Sequence, residues 1–167
     1  YPGDYLIEVG EHLASKFNNE LKYLTEDEVI EKIGPIAVDI MMTSIKKDLA
    51  RLGVEMDVYS SEQELVTSGK VSSAIKKLQE DGLIYHGIPE QPKGHLDSDW
   101  EPREQLLFRS KDFGDDMDRP LQKSDNSWTY FASDVAYHYD KLQRTGGKLI
   151  DVLGADHSGY VKRMTAA

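Results

Sequence analysis

The sequence predicts an α/β protein with a helical N-terminal third and a small inserted β-rich segment. Three observations carry this: apolar residues keep helical spacing up to Gly53, period-two runs begin only after it, and strand-like and helix-like stretches alternate across glycine breaks from Trp128 onward. At 167 residues the chain is long enough to bury a core without disulfides.

The first helix is expected over Tyr5 to about Phe17, where Leu6, Val9, Leu13 and Phe17 form one apolar stripe. Thr25 followed by Glu26, Asp27 and Glu28 matches a capping box and starts a short second helix. Pro35 suits the first turn of a third, in which Ile36, Ile40, Met41, Ile45, Leu49 and Leu52 keep the spacing until Gly53 offers a left-handed stop. Val54, Met56 and Val58 then alternate with Glu55, Asp57 and Tyr59 as a strand would. Ser68 or Gly69 leads into a helix carrying Val71, Ala74, Ile75 and Leu78, closed by Asp81-Gly82, and Leu83 to Tyr85 is the next strand.

Three prolines and Gly94 make Pro89 to Pro102 an irregular loop and the best hinge candidate. Gln105–Arg109 and Pro120–Lys123 are strand-like and suggest a small antiparallel unit, with Ser124 to Ser127 as turn residues. A strand at Trp128–Phe131, a helix from Ser133 to about Gln143, a break at Gly146-Gly147, a strand at Leu149–Leu153 and a helix from about Ser158 follow. That β-α-β-α order implies two parallel strands joined by a right-handed crossover. The expected organisation is 1–53 helical, 54–88 strand-helix-strand, 89–127 loop and antiparallel strands, and 128–167 β-α-β-α.

Composition narrows the function. No cysteine is present, which removes thiol nucleophiles, disulfides and zinc ribbons, and no apolar run is long enough to cross a bilayer. A soluble cytoplasmic protein is expected. Thirty acidic against 20 basic residues give a net charge of −10, which repels polyanions, so any nucleic-acid surface is expected outside this segment. The chain opens at Tyr1 without an initiator Met and closes on Met164-Thr165-Ala166-Ala167, helix formers with no stop signal, so an internal piece of a longer protein is expected.

Two junctions could hold chemistry. Leu149–Leu153 runs into Gly154-Ala155-Asp156-His157-Ser158-Gly159, and ligands bind beyond the carboxyl ends of parallel strands. Asp156 could accept from ribose hydroxyls there and His157 could hold a polar ligand; the plain alternative is a structural turn. At the preceding junction Tyr130 and Asp134 could clamp a cation, best a planar guanidinium, although Ser133-Asp134 is also where a helix cap is expected. Asp134 and His138 lie four apart, with His157 as a conceivable third zinc ligand, but that set is thin. The run Asp112, Asp115, Asp116, Asp118 lacks the glycine and closing Glu of a calcium loop. Residues 71–86 also have the order of a recognition helix and wing, with only Lys70, Lys76 and Lys77 to contact DNA. A non-catalytic α/β interaction module is the other alternative.

Several strings together resemble arginyl-tRNA synthetases, class I aminoacyl-tRNA synthetases. They are Ser124-Asp125-Asn126-Ser127-Trp128-Thr129-Tyr130-Phe131-Ala132-Ser133-Asp134-Val135-Ala136-Tyr137-His138 and Gly154-Ala155-Asp156-His157-Ser158-Gly159-Tyr160-Val161-Lys162-Arg163-Met164, supported by Tyr1 to Tyr5, Asp57 to Glu62 and Asp115 to Pro120. The resemblance implies part of a Rossmann-type catalytic domain that joins arginine to its tRNA through an arginyl-adenylate. It implies that Tyr130, Asp134 and His157 bind arginine, that Gly154, Asp156 and His157 lie against ATP, and that Mg2+ accompanies the ATP in the full enzyme. The tRNA would be held mostly elsewhere. Glu62 lies in a matching stretch without an assigned role. The His-Ile-Gly-His and Lys-Met-Ser-Lys-Ser type motifs of class I enzymes are absent from this sequence, so no catalytic residue is assigned here and the isolated chain is expected to be inactive.

Overall fold

A computed structural model gives the structure of residues 3–91 and 102–167; most of the expected hinge, 92–101, lies outside the described residues. The chain forms two compact units, Tyr1–Tyr59 and Ser60–Ala167.

In the first unit α1 (Tyr5–Phe17) buries Val9, Leu13 and Phe17 against Ile33, Ile36, Ala37, Ile40 and Met41 of α2 (Glu26–Arg51). Leu6, expected on the same stripe, is exposed. The capping box forms: Thr25 Oγ1 accepts from the Glu28 N–H at 3.4 Å, and Glu28 Oε2 accepts from the Thr25 N–H at 2.8 Å. The two helices expected on either side of Pro35 are one helix of 26 residues. Proline removes one ladder bond, but apolar contacts with α1 lie on both sides of it, Ile33 before and Ile36, Ala37 and Ile40 after, and they keep the axis continuous. Gly53 ends the region with φ 73°, as expected. The strand expected from Val54 to Tyr59 is absent: the segment is irregular and Val54, Met56 and Val58 are exposed. Alternation supplies two faces, yet a strand also needs a neighbouring backbone, and no described residue provides one.

The second unit opens with α3 (Glu62–Thr67), a short helix that the apolar spacing does not announce, capped by Ser61 Oγ accepting from the Glu64 N–H at 3.3 Å. Then come α4 (Lys70–Glu80), β1 (Ile84–Gly87), β2 (Gln105–Phe108) and β3 (Arg119–Pro120). The strands form an antiparallel sheet in the order β1-β2-β3, with Tyr85 opposite Leu107 and Leu107 opposite Pro120. The antiparallel insert is therefore present, with β3 shorter and one residue earlier than expected. Against it pack Leu65, Val71, Ala74 and Ile75, together with Phe131, Ala132, Val135 and Ala136 of α5 (Tyr130–Thr145), around the fully buried Phe108 and Leu121.

The parallel pair expected after Trp128 is not formed. Thr129 Oγ1 accepts from the Ala132 N–H at 3.2 Å and starts α5 at Tyr130, three residues before the expected start, so Trp128 keeps only a bridge to Gln122. Ser133 and Asp134 are thus within the first turns of the helix and not its cap. Leu149–Leu153 runs without strand pairing, with Ile150 and Val152 87% and 94% exposed. A tight turn of 3-10 type, Ala155–Tyr160, then leads into α6 (Val161–Ala166).

The connection from β2 to β3 is held by an ion pair and by hydrogen bonds to Asp118. The Arg119 guanidinium binds both oxygens of Asp115 at 2.7 Å each, and the Asp115 side chain has no solvent exposure. Asp118 accepts from the Tyr85 hydroxyl at 2.8 Å and from the Lys111 N–H at 3.1 Å. Burial alone would raise the Asp115 carboxyl, but Arg119 and the Asp116 N–H hold it below the ordinary value. Asp140 is lowered by Lys70 against a smaller burial effect, with Arg144 assisting. A carboxylate with a depressed folded value stabilises fully above its unfolded value, about 3.9, and that stability is lost as pH falls through the folded value. Acid titration followed by circular dichroism should therefore show the second unit unfolding only below about pH 4, and Asp115→Asn should flatten that acid limb.

Candidate ligand cleft beside Asp134

Tyr130 and Asp134 lie four residues apart near the start of α5 and so share one helix face. Tyr130 is 70% exposed, with Lys123 Nζ 5.2 Å from its ring centre. Asp134 is half-buried, and its Oδ2 accepts the hydroxyl proton of Tyr160. Burial first, and the Asp134 carboxylate second, push the Tyr160 phenol well above its ordinary value, so it remains a donor. Tyr160 closes the turn that begins after Gly154, so this bond joins the first turns of α5 to the glycine turn.

Asp134 also lines a cleft of about 190 Å3, together with Ser60, Glu62, Leu65, Ser133 and Tyr137. Two carboxylates, one hydroxyl-bearing aromatic ring and two serines suit a ligand that is cationic and rich in hydrogen-bond donors. Neither Tyr130 nor His157 lines this cleft. His157 is exposed, its Nε2 3.8 Å from Asp156 Oδ2, and its backbone N–H donates to the Gly154 carbonyl at 2.9 Å. Asp156 is exposed as well, and a Cβ at Gly154 would meet its carboxylate, a flexible neighbour that can move aside. This cleft thus does not bring Tyr130, Asp134 and His157 together behind side-by-side parallel strands as expected; the two junctions are joined by the Tyr160–Asp134 bond.

Glu62 and Tyr160 are the residues that spacing arguments do not single out. Glu62 is brought to Asp134 by α3, whose only local signal is the Ser61 cap, and Tyr160 sits inside the glycine-turn string without a distinguishing pattern. The residues of the other readings are engaged elsewhere. His138 Nδ1 and Nε2 face the Asp134 carbonyl at 2.8 Å and Asp151 Oδ2 at 2.9 Å. Lys70, Lys76 and Lys77, which a DNA-binding helix would need, pair with Asp140 at 2.7 Å, Glu80 at 3.9 Å and Asp81 at 2.6 Å. No helix among the described residues is long and apolar enough to cross a membrane.

Comparison with known proteins finds similarity to one segment of arginine–tRNA ligases. Over all 167 residues the chain is 58% identical to an arginine–tRNA ligase of Cereibacter sphaeroides and 56% identical to one of Paracoccus denitrificans, spanning 29% of the length of each. A crystal structure from Campylobacter jejuni described as an arginyl-tRNA synthetase superposes with a TM-score of 0.78 at 31% identity, covering 99% of this chain and 32% of that one. No protein-family model matches. The chain is thus related along its whole length to one segment of the arginine–tRNA ligases, as its motifs imply, and spans less than a third of those relatives.

Proposed function

We propose that this chain supplies the arginine-binding wall and part of the ATP site of a cytoplasmic arginine–tRNA ligase, whose remaining parts complete the catalytic centre. The observation that carries this reading is the pairing of Glu62 with Asp134 in one cleft. A guanidinium carries five N–H donors in a plane and stays charged at any physiological pH, so two carboxylates that share a cleft select it over neutral or anionic amino acids. Asp134 is the principal counter-ion, Glu62 the second, and Tyr130 and His157 flank the ligand from the rims of the two turns. Gly154 and Asp156 lie toward the ATP, Asp156 at the ribose, with His157 between the two ligands and Mg2+ accompanying the triphosphate.

In this reading all 167 residues are part of one catalytic domain, and Leu149–Leu153 becomes a strand of a Rossmann-type sheet whose neighbours come from the rest of the protein. Its largely apolar run and its exposed Ile150 and Val152 suit such pairing. The tRNA is held mostly by other regions, consistent with a net charge of −10. Activation of arginine also needs groups that stabilise the transferring phosphoryl, and the two class I motifs that do so are not in this sequence. The isolated chain is therefore expected to form no arginine-dependent adenylate, measured as pyrophosphate release from ATP, while a protein containing both motifs and this segment should. Turnover by the isolated chain would refute this division of labour.

A further inference from the structure

We propose that His138, Lys141 and Asp151 form a clamp that positions the Gly154–Tyr160 turn against the cleft walls of α5. The functional meaning of the clamp rests on the arginine reading above; its existence does not. Asp151 lies three residues before Gly154. Its Oδ2 faces His138 Nε2 at 2.9 Å and its Oδ1 accepts from Lys141 Nζ at 2.8 Å, so each carboxylate oxygen has its own donor. The Lys141 bond chiefly, with His138 adding to it against a burial effect, holds the Asp151 carboxyl below its ordinary value.

On the α5 side both donors lead to the cleft. His138 Nδ1 faces the backbone carbonyl of Asp134 at 2.8 Å, while Nε2 faces Asp151 Oδ2 at 2.9 Å and Lys141 Nζ at 3.5 Å, so the ring bridges the helix backbone and the clamp. Lys141 Nζ stands 4.5 Å from the ring centre of Tyr137, which lines the cleft. The clamp therefore touches two cleft residues, one through its backbone and one through its ring. The three side chains are between 21% and 32% exposed, where charge-assisted bonds are stronger than between freely solvated ions. They also act where ladder bonds do not: Leu149–Leu153 pairs with no strand among the described residues, and Leu149 and Leu153 line, with residues of α4, α5 and α6, a mainly apolar cavity of about 440 Å3 that His138 and Asp151 also border. Asp151 is the ionic attachment of that segment to the helix.

Histidine's two bonds can be separated. Asparagine places its amide nitrogen near the position of Nδ1, so His138→Asn keeps the bond to the Asp134 carbonyl and loses Asp151. Glutamine reaches like Nε2, so His138→Gln keeps Asp151. Amide hydrogen exchange by NMR on the 167-residue chain reads the result at the His157 N–H, with the α5 amides in the same sample reporting whether the helix is intact. The expected result is exchange at His157 faster by at least about tenfold in His138→Asn, with near-native exchange in His138→Gln. Unchanged exchange at His157 in His138→Asn, or equal exchange in both variants, overturns the clamp. If His138→Asn melts α5, Lys141→Met decides by the same readout, since it leaves the helix's own bonds in place: faster exchange at His157 supports the clamp and native exchange ends it. No arginine is present in this experiment. A wild-type chain that shows the clamp but no arginine-induced shift at Asp134 would retain the clamp and reject the arginine reading.

Discussion

Replacing Arg119 by alanine is expected to destabilise the second unit by about 3–5 kcal/mol, because it strands a carboxylate that is shut off from water. The Asp115 side chain has no exposure and receives both of its strong bonds from the one guanidinium, with the Asp116 N–H at 2.7 Å as a further donor to Oδ1 and Ser110 beside it. Reaching water would require the whole β2–β3 connection to open, including the 2.6 Å bond from Ser110 Oγ to the Met117 carbonyl. Urea unfolding followed by the fluorescence of Trp128, which packs on this core, gives the magnitude. Arg51→Ala is the control: its 3.4 Å pair with Asp48 is open to solvent on both sides, and no measurable change is expected. An Arg119→Ala midpoint close to that of the control would mean that the connection relaxes and rehydrates Asp115.

The largest functional effect is expected at Asp134. In a protein containing both class I motifs and this segment, Asp134→Asn should raise KM for arginine by about a hundredfold, with KM for ATP little changed. Asparagine is the informative substitution because its amide oxygen can still accept from the Tyr160 hydroxyl. It removes the charge that would pair with a guanidinium while leaving the link between α5 and the glycine turn. A variant that loses folding stability but keeps its arginine KM would show that Asp134 serves only to anchor Tyr160.

How much of this was legible in the sequence depended on whether the deciding interaction was local. Tyr5–Phe17, the Thr25 capping box, the Gly53 stop and the helix after Gly69 rest on neighbours within one or two turns, and they form where expected. Pro35 misled because its cost within α2 is met by packing against α1, which no local pattern records. Val54–Tyr59 and Leu149–Leu153 misled for the opposite reason. The alternation of the first and the apolar run of the second both suit strands, but strands are completed by another backbone, and no described residue supplies it. The start of α5 was displaced because Ser133-Asp134 has the residue types of a cap, whereas the fold gives that place to Thr129, whose Oγ1 accepts from the Ala132 N–H while it donates to the Pro120 carbonyl at 2.9 Å.

The candidate site divides in the same way. Asp134 stood out as a carboxylate at a helix start, and Gly154 to His157 as a glycine turn. Glu62 did not, because its place in the cleft depends on a contact between α3 and α5 across more than sixty residues of sequence. Tyr160 did not because a tyrosine at the end of a turn has no pattern of its own until its hydroxyl is seen on Asp134. The resemblance to arginyl-tRNA synthetases drew attention to both stretches without saying what either residue does.

Arginine selection by the Glu62–Asp134 cleft is tested most directly by NMR titration of the isolated chain with L-arginine and, separately, with L-citrulline, which keeps the shape of the side chain but not its charge. Weak, saturable shifts from arginine confined to Ser60, Glu62, Ser133, Asp134 and Tyr137, with citrulline silent, are the predicted outcome. Equal responses to the two amino acids, or arginine shifts that bypass Glu62 and Asp134, would contradict it.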